Sequence, residues 1–185
     1  MPDDISIQTR YVHELSSAVM SKIERLPTDD CCLAVIAAIE AIANLTSKDV
    51  RSRAIANGKG PDYAENRISQ YNDVFVSAAK QAVATNNQPL RTNVTPENTP
   101  FDVDVWIDDI RHTVITKLTL LPVSDRDLVM ISAVEAAANV AAMEAIRHSL
   151  DNGKSEQDTL LRINEYAKVF TEGTQRPKPD EWVRF

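Results

Sequence analysis

Glycine is scarce in this chain, with four glycines among 185 residues. They stand at positions 58, 60, 153 and 173, so the sequence holds no glycine-rich phosphate loop and few of the turns that an all-β protein needs. Apolar residues make up 43% of the chain and charged residues 25%, which excludes general disorder and allows one compact unit or two small ones. The composition therefore predicts an all-α protein.

Cysteine is also rare, and the two cysteines, Cys31 and Cys32, are adjacent. They form neither a Cys-x-x-Cys redox motif nor a long-range disulfide framework, so we expect a reducing, cytoplasmic location. The N-terminal sequence MPDDISIQTR carries acids where a signal peptide has a basic region, and the most apolar run, residues 33–45, is interrupted by Glu40 and Asn44. We expect neither export nor a membrane-spanning segment.

Basic residues are too few to balance the acids. The chain has 20 lysines and arginines against 27 aspartates and glutamates, a net charge of -7. A nucleic-acid-binding protein is expected to be basic, so the charge argues against a nucleic-acid partner. A protein partner of unknown identity, or a second copy of the chain, fits this charge better.

An internal repeat is the strongest signal in the sequence. At a fixed offset of 95 residues, the segment from Tyr11 aligns with the segment from Trp106 without a gap, and roughly 20 of about 67 aligned positions are identical. LAVIAAIEAIAN meets LVMISAVEAAAN, Asn-Gly-Lys meets Asn-Gly-Lys, and RISQYNDVF meets RINEYAKVF. The alignment predicts a helical bundle built from two tandem, pseudo-equivalent three-helix repeats.

Proline and glycine mark where the helices of each repeat end. Leu-Pro ends the first helix, and Asn-Gly ends the second because glycine adopts the left-handed conformation at a helix C-terminus. The third helix opens at Gly60-Pro61 in one repeat and at Ser155-x-x-Asp158 in the other. The predicted divisions are residues 1–84 for the first repeat, 85–105 for a proline-containing acidic linker, 106–173 for the second repeat and 174–185 for a C-terminal tail.

Polar residues shared by both repeats are the candidates for a site. The central helix is apolar nearly all round, so a glutamate on it requires a cation or several hydrogen-bond donors. An asparagine follows each such glutamate by one turn, and the third helix carries an arginine with a tyrosine one turn later. We expect these residues to form a satisfied buried polar network in each repeat: Glu40, Asn44, Arg67 and Tyr71, and Glu135, Asn139, Arg162 and Tyr166.

A second interpretation makes Glu40 and Glu135 a facing carboxylate pair that shares a proton or binds a divalent ion. Helical di-metal bundles use Glu-x-x-His, whereas alanine stands three residues after each glutamate here. The histidines, cysteines and serines also lack the spacing or sequence context of known metal-binding and nucleophilic sites. We therefore assign no catalytic residue, no metal and no cofactor.

Two surface features are candidates for contact with a partner. Acidic residues are concentrated from position 97 onward without a basic residue before Arg111, which indicates either a solvated surface or a docking face for a basic partner. The tail ends in apolar residues that follow two prolines, and such an end is expected to dock against the chain itself or a neighbour. The acidic set is Glu97, Asp102, Asp104, Asp108 and Asp109, and the tail set is Trp182, Val183 and Phe185.

The sequence thus favours a non-catalytic cytoplasmic protein that acts by macromolecular binding, as an inhibitor, immunity protein or adaptor-like regulator. The alternative is a carboxylate-based enzyme or divalent-metal-binding bundle that uses Glu40 and Glu135. A third interpretation is an acidic surface that competes with nucleic acid for a basic site on a partner.

Overall fold

The computed structural model describes residues 7–23, 28–86, 102–119 and 126–175, which are helical along nearly their whole length. These residues contain no strand, so the all-α prediction is confirmed. The six helices are α1 (Ile7–Ile23), α2 (Thr28–Ala56), α3 (Pro61–Asn86), α4 (Val103–Thr119), α5 (Arg126–Asp151) and α6 (Glu156–Gln175).

The two helix connections that the structure describes from end to end, α2 to α3 and α5 to α6, begin with the predicted glycine caps. Gly58 and Gly153 have φ values of 62° and 61°, a region that glycine adopts without a steric penalty. After α2, the amide of Lys59 donates to the carbonyl of Ala54 at 2.8 Å and the amide of Gly58 donates to that of Ile55 at 3.0 Å. This is the Schellman arrangement, which satisfies carbonyls that have no partner within the helix. The end of α5 has the same pair of hydrogen bonds.

Side chains also fix three helix starts. The α6 start is a reciprocal capping box, because the Ser155 amide donates to the Asp158 carboxylate at 2.9 Å and the Asp158 amide donates to the Ser155 hydroxyl at 3.3 Å. Helix α3 begins at Pro61 as predicted. Helix α4 begins earlier than expected, since Asp102 accepts from the amides of Asp104 and Val105 and acts as an N-cap. The predicted linker, residues 85–105, therefore overlaps the end of α3 and the start of α4, and its residues 87–101 lie outside the described part.

Each outer helix has its largest interface with the central helix of the other half of the chain. Helix α1 packs mainly on α5, and α4 packs mainly on α2. Likewise, α3 has its largest interface with α5, and α6 has its largest interface with α2. The central helices α2 and α5 also touch each other, so one continuous apolar core joins the N-terminal and C-terminal halves of the chain.

The buried stripe of the third and sixth helices follows the predicted spacing. Ile68, Tyr71 and Phe75 are buried on α3, and the residues 95 positions later are buried on α6. Phe75 and Phe170 stack with ring centroids 4.8 Å apart and an interplanar angle of 18°. An aromatic pair in this geometry contributes about 0.5–1.5 kcal/mol beyond the burial of its area, so these two rings tie α3 to α6.

By length and mean hydropathy alone, two helices qualify as candidate membrane spans, although the sequence analysis predicts none. They are α2 from Cys31 to Ala56 and α5, each with a mean hydropathy of 1.5. In the bundle 61% and 78% of these apolar windows are buried against other helices. A helix that is apolar nearly all round is also typical of the centre of a helical protein, so the qualification is weak evidence for a membrane.

Helices α2 and α6 approach each other closely where α6 has a glycine. A Cβ added at Gly173 would lie 2.8 Å from the Cβ of Ala43, closer than real side chains pack. The Ser47 hydroxyl donates to the Thr174 carbonyl at 2.7 Å beside this contact. The absence of a side chain at position 173 therefore allows the two backbones to meet.

We predict that Gly173→Ala destabilises the protein although alanine favours helix. Overpacking of a tight contact costs about 1–3 kcal/mol, whereas the gain in helix propensity is about 1 kcal/mol. The control is Gly60→Ala, because an added Cβ at Gly60 meets nothing within 4 Å. Urea unfolding of both variants tests this, and an unchanged or raised stability of Gly173→Ala would contradict the close approach.

Candidate functional site

The structure places the partner of Arg162 elsewhere than the sequence predicted. Glu135 is half-buried, and both its carboxylate oxygens accept from the Gln8 side-chain amide at 3.0 Å. Arg162 instead donates from Nε and Nη2 to Glu144 at 2.8 and 3.0 Å. The predicted pairing of Glu135 with Arg162 is thus replaced by a pairing with Glu144, because the axial register of α5 against α6 brings Glu144 opposite the guanidinium.

Glu144 is the centre of a buried cluster, the Glu144 cluster, with Arg147, Arg162, Tyr166 and Cys32. Its side chain has no exposed surface. Tyr166 donates its hydroxyl to Glu144, and Arg147 lies 3.4 Å away through Nη2. Two guanidinium groups and a phenol supply the hydrogen-bond donors that a buried carboxylate requires. Removal of the carboxylate or of a guanidinium group would leave a buried charge without its partner and would lower the free energy of unfolding.

The environment shifts the pKa values of the donors. Burial raises the pKa of Tyr166, and the charge of Glu144 and its hydrogen bond raise it further, so the phenol stays protonated. For Arg162, burial acts to lower the pKa, but the hydrogen bond and charge of Glu144 outweigh it and the net shift is upward. Both shifts keep the Tyr166 phenol neutral and the Arg162 guanidinium charged.

A second cluster, the Asp127 cluster, lies on the α3 side and contains Arg53, Arg67, Tyr71, Asp49 and Asp127. Arg53 donates to Asp127 through Nη1 and lies 2.6 Å from Asp49 through Nη2. The Tyr71 hydroxyl donates to Asp127 at 3.4 Å, and Arg67 Nη2 lies 3.7 Å from the same carboxylate. The predicted residues Arg67 and Tyr71 are therefore together, but their acid is Asp127 from α5 rather than Glu40 from α2.

The two carboxylates of the Asp127 cluster shift in opposite directions. Burial acts to raise the pKa of Asp127, but the hydrogen bond and charge of Arg53 outweigh it, so the net shift is downward. Burial raises the pKa of Asp49, and Arg53 offsets this effect only in part. Tyr71 has a raised pKa through burial and the charge of Asp127. Arg53 and its neighbours thus favour the ionised form of Asp127, whereas burial disfavours the ionised form of Asp49.

The clusters share four positions of the 95-residue register, including the arginine and tyrosine of α3 and α6, whereas Arg53 and Arg147 have no arginine at the corresponding position. Asp49 aligns with Glu144, and Cys32 aligns with Asp127. Cys32 Sγ lies 3.1 Å from Arg162 Nη2 and 3.9 Å from the Tyr166 hydroxyl, while Cys31 is buried beside it. A carboxylate in one cluster and a thiol in the other therefore face the same type of arginine and tyrosine pair.

The remaining predicted network residues either make hydrogen bonds within their own helix or line a groove. Asn44 donates to the Glu40 carbonyl at 2.9 Å, and its side-chain oxygen is buried without a hydrogen bond. Asn139 and Glu135 line a groove between α1, α3 and α5. Within the described ranges, no group of three or more His, Cys, Asp or Glu side chains is arranged to hold a metal ion. The carboxylate-pair interpretation of Glu40 and Glu135 therefore gains no geometric support from these residues.

The acidic set lies at the start of α4 as far as the structure describes it. Asp102, Asp104, Asp108 and Asp109 are all exposed. On the inner side of the helix, Trp106 donates from its indole nitrogen to the Ala34 carbonyl at 3.1 Å and holds α4 on α2. Glu97 and the tail residues Trp182, Val183 and Phe185 lie outside the described residues.

Sequence reasoning missed Glu144, Asp127, Asp49 and Arg53. Identity between the two halves does not mark the pair Asp49 and Glu144, because an aspartate aligns there with a glutamate although the charge is the same. An acid at matching positions of two apolar helices was the signal that could have found Asp49 and Glu144. Comparison with known proteins finds no matching family model, no matching curated sequence and no matching solved structure.

We predict that Glu144→Ala lowers the free energy of unfolding by about 3–5 kcal/mol, because it leaves buried guanidinium groups without their counter-charge. The control is Glu165→Ala, an exposed glutamate on α6 whose loss is expected to change stability by less than about 0.5 kcal/mol. Thermal and urea unfolding measure both. Equal stabilities of the two variants would contradict a structural role for the Glu144 cluster.

The opposite pKa shifts of Asp127 and Asp49 predict opposite effects of pH on the free energy of unfolding. The pKa of Asp127 lies below the ordinary 3.8, so its contribution is present above that value and is lost as the pH falls through the folded-state pKa. The pKa of Asp49 lies above 3.8, so acidification toward that value relieves the cost of burying its charge. Between about pH 6 and pH 3, Asp127→Asn should lose less stability than the parent protein, and Asp49→Asn should lose more. Urea unfolding across this range checks the order, and the reverse order would refute the assignment.

Proposed function

We propose that this chain is a non-catalytic protein that binds a basic macromolecular partner through the acidic face of α4, defined by Asp102, Asp104, Asp108 and Asp109. The observation that carries the proposal is the exposure of these four carboxylates on a helix whose other side is anchored by Trp106. A partner can approach this face without any rearrangement of the core.

The spacing of the acids supports a docking face. Asp104 and Asp108 are four residues apart and lie on one side of the helix, with Asp109 beside them. Asp102 lies at the N-terminus of α4, where its carboxylate accepts hydrogen bonds from two backbone amides. Together with the net charge of -7, this cluster would attract a basic partner over a distance and repel nucleic acid.

The proposed fold consists of two tandem, pseudo-equivalent three-helix repeats. The outer helices of each repeat pack mainly on the central helix of the other repeat. The matching glycine caps, the Phe75 and Phe170 stack, and the two arginine and tyrosine clusters support it. In this register α4 corresponds to α1, but positions 104 and 108 correspond to Thr9 and His13. Asp109 corresponds to Glu14, so the acids at positions 104 and 108 are the part of the face that is specific to the second repeat, as expected when one copy of a duplicated scaffold acquires a binding role.

Inhibitor, immunity and adaptor-like roles all use such a surface. We further propose a cytoplasmic setting, which is supported by the two cysteines, neither of which forms a disulfide in this structure. A protein that competes with nucleic acid for a basic site would use the same face, so this alternative is one outcome of the test below.

The test measures binding of a lysine-rich peptide as a probe of partner chemistry. The parent protein should bind it with an affinity that falls as salt rises, and Asp104→Asn with Asp108→Asn and Asp109→Asn should weaken binding severalfold and flatten the salt dependence. The matched control neutralises three exposed acids elsewhere, Asp62, Asp73 and Glu165. Calorimetric titration at two salt concentrations compares the three proteins.

Equal loss of affinity in both triple variants would show that only net charge matters and would overturn the proposed face. Release of duplex DNA from the peptide by the parent protein, but not by the α4 variant, would identify the role as competition with nucleic acid. Exposed charges contribute little to stability, so we expect both variants to melt near the parent temperature.

A further inference from the structure

A groove of about 400 Å³ lies between α1, α3 and α5, on a different set of helices from the acidic face. Its volume is within the range of small-molecule sites, which is about 300–1,000 Å³. Residues from all three helices form its walls: Gln8, Thr9, Val12, Ala78, Gln81, Ala82, Thr85, Glu135 and Asn139.

The groove contains one half-buried carboxylate, that of Glu135. Both of its oxygens accept hydrogen bonds from Gln8 at 3.0 Å, so a neutral amide holds the carboxylate in place. Among the described residues, no cationic side chain forms an ion pair with it. A carboxylate oxygen has a second acceptor site, and a half-buried negative charge gains most from a positively charged donor.

The other walls restrict the kind of cation. Val12, Ala78 and Ala82 provide an apolar surface, and the side chains of Gln81 and Thr85 provide polar groups toward the exposed side of α3. A hard divalent ion prefers several carboxylate or carbonyl oxygens, and the described residues that line the groove include a single carboxylate. An organic ammonium on a short aliphatic chain matches both the charge and the apolar wall.

We infer that this groove binds a primary alkylammonium group, with the nitrogen on Glu135 and the methylene groups against Val12, Ala78 and Ala82. The group belongs either to a small free amine or to a lysine side chain of a partner. This inference goes beyond the proposed function and does not depend on the acidic face of α4.

The corresponding glutamate in the other half provides a matched control. Glu40 aligns with Glu135 in the 95-residue register, and position 78 on α3 aligns with Gly173 on α6. At that position α6 lies directly on α2, since a Cβ at Gly173 would sit 3.7 Å from the Glu40 Cα. The close approach of the two backbones there contrasts with the open groove beside Glu135.

The experiment titrates the intact protein with n-butylamine at neutral pH, where the amine is protonated, and records binding by calorimetry and NMR. Butyrate and n-butanol test the charge requirement. We expect saturable binding of the amine, a loss of about 10-fold or more in affinity for Glu135→Gln, and unchanged affinity for Glu40→Gln. Ala78→Leu, which fills the groove, should also weaken binding while the helix content remains that of the parent.

The lysine derivative Nα-acetyl-lysinamide separates the two sources of the group. Affinity equal to that of n-butylamine would support a lysine side chain from a partner, and much weaker affinity would support a small free amine. Binding that is absent from the parent protein, unchanged in Glu135→Gln, equally reduced in Glu40→Gln, or equal for n-butanol would overturn the inference. The α4 triple variant should retain amine binding, so failure here is distinguishable from failure of the proposed function.

Discussion

The two central helices, α2 and α5, are apolar nearly all round, and the rest of the bundle depends on covering them. Such a helix is stable in water only when other helices surround it. Both central helices are rich in alanine, which allows neighbouring backbones to come close, as they do at Ala43 and Gly173. Coverage comes from both halves of the chain, because α1 and α3 pack on α5 while α4 and α6 pack on α2. One shared core follows, with Phe75 and Phe170 in contact between the outer helices.

This arrangement also explains the buried charges. The arginine and tyrosine of α3 and of α6 each meet an acid on a central helix: Arg67 and Tyr71 meet Asp127 on α5 of the other half, and Arg162 and Tyr166 meet Glu144 on α5 of their own half. Each acid is held by several donors, so these groups stabilise one alignment of the helices rather than offer free reactive atoms. The arginines and tyrosines that both halves share thus belong to the framework, and the two proposed binding features lie outside these clusters, on α4 and in the groove beside Glu135.

Local features were predictable from sequence because they depend on a few adjacent residues. The glycine caps at Gly58 and Gly153 and the Ser155 capping box are examples, since their geometry is set within one turn. The partner of Arg162 was not predictable, because it depends on how far α6 is shifted along α5. At roughly 1.5 Å per residue, Glu144 lies about 13 Å beyond Glu135 on the same helix. Periodicity identifies the buried face of a helix, but neither this axial shift nor the choice of covering helix is encoded in it.

The claim that both halves share one core is tested most directly by dividing the chain. Residues 1–95 and 96–185, produced as separate polypeptides, leave α1 and α3 without α5, and α4 and α6 without α2. We predict that neither fragment alone unfolds cooperatively, as followed by circular dichroism during heating, and that an equimolar mixture recovers the helix content and cooperative melting of the intact chain. A fragment that melts cooperatively by itself, at a temperature close to that of the whole protein, would contradict the account.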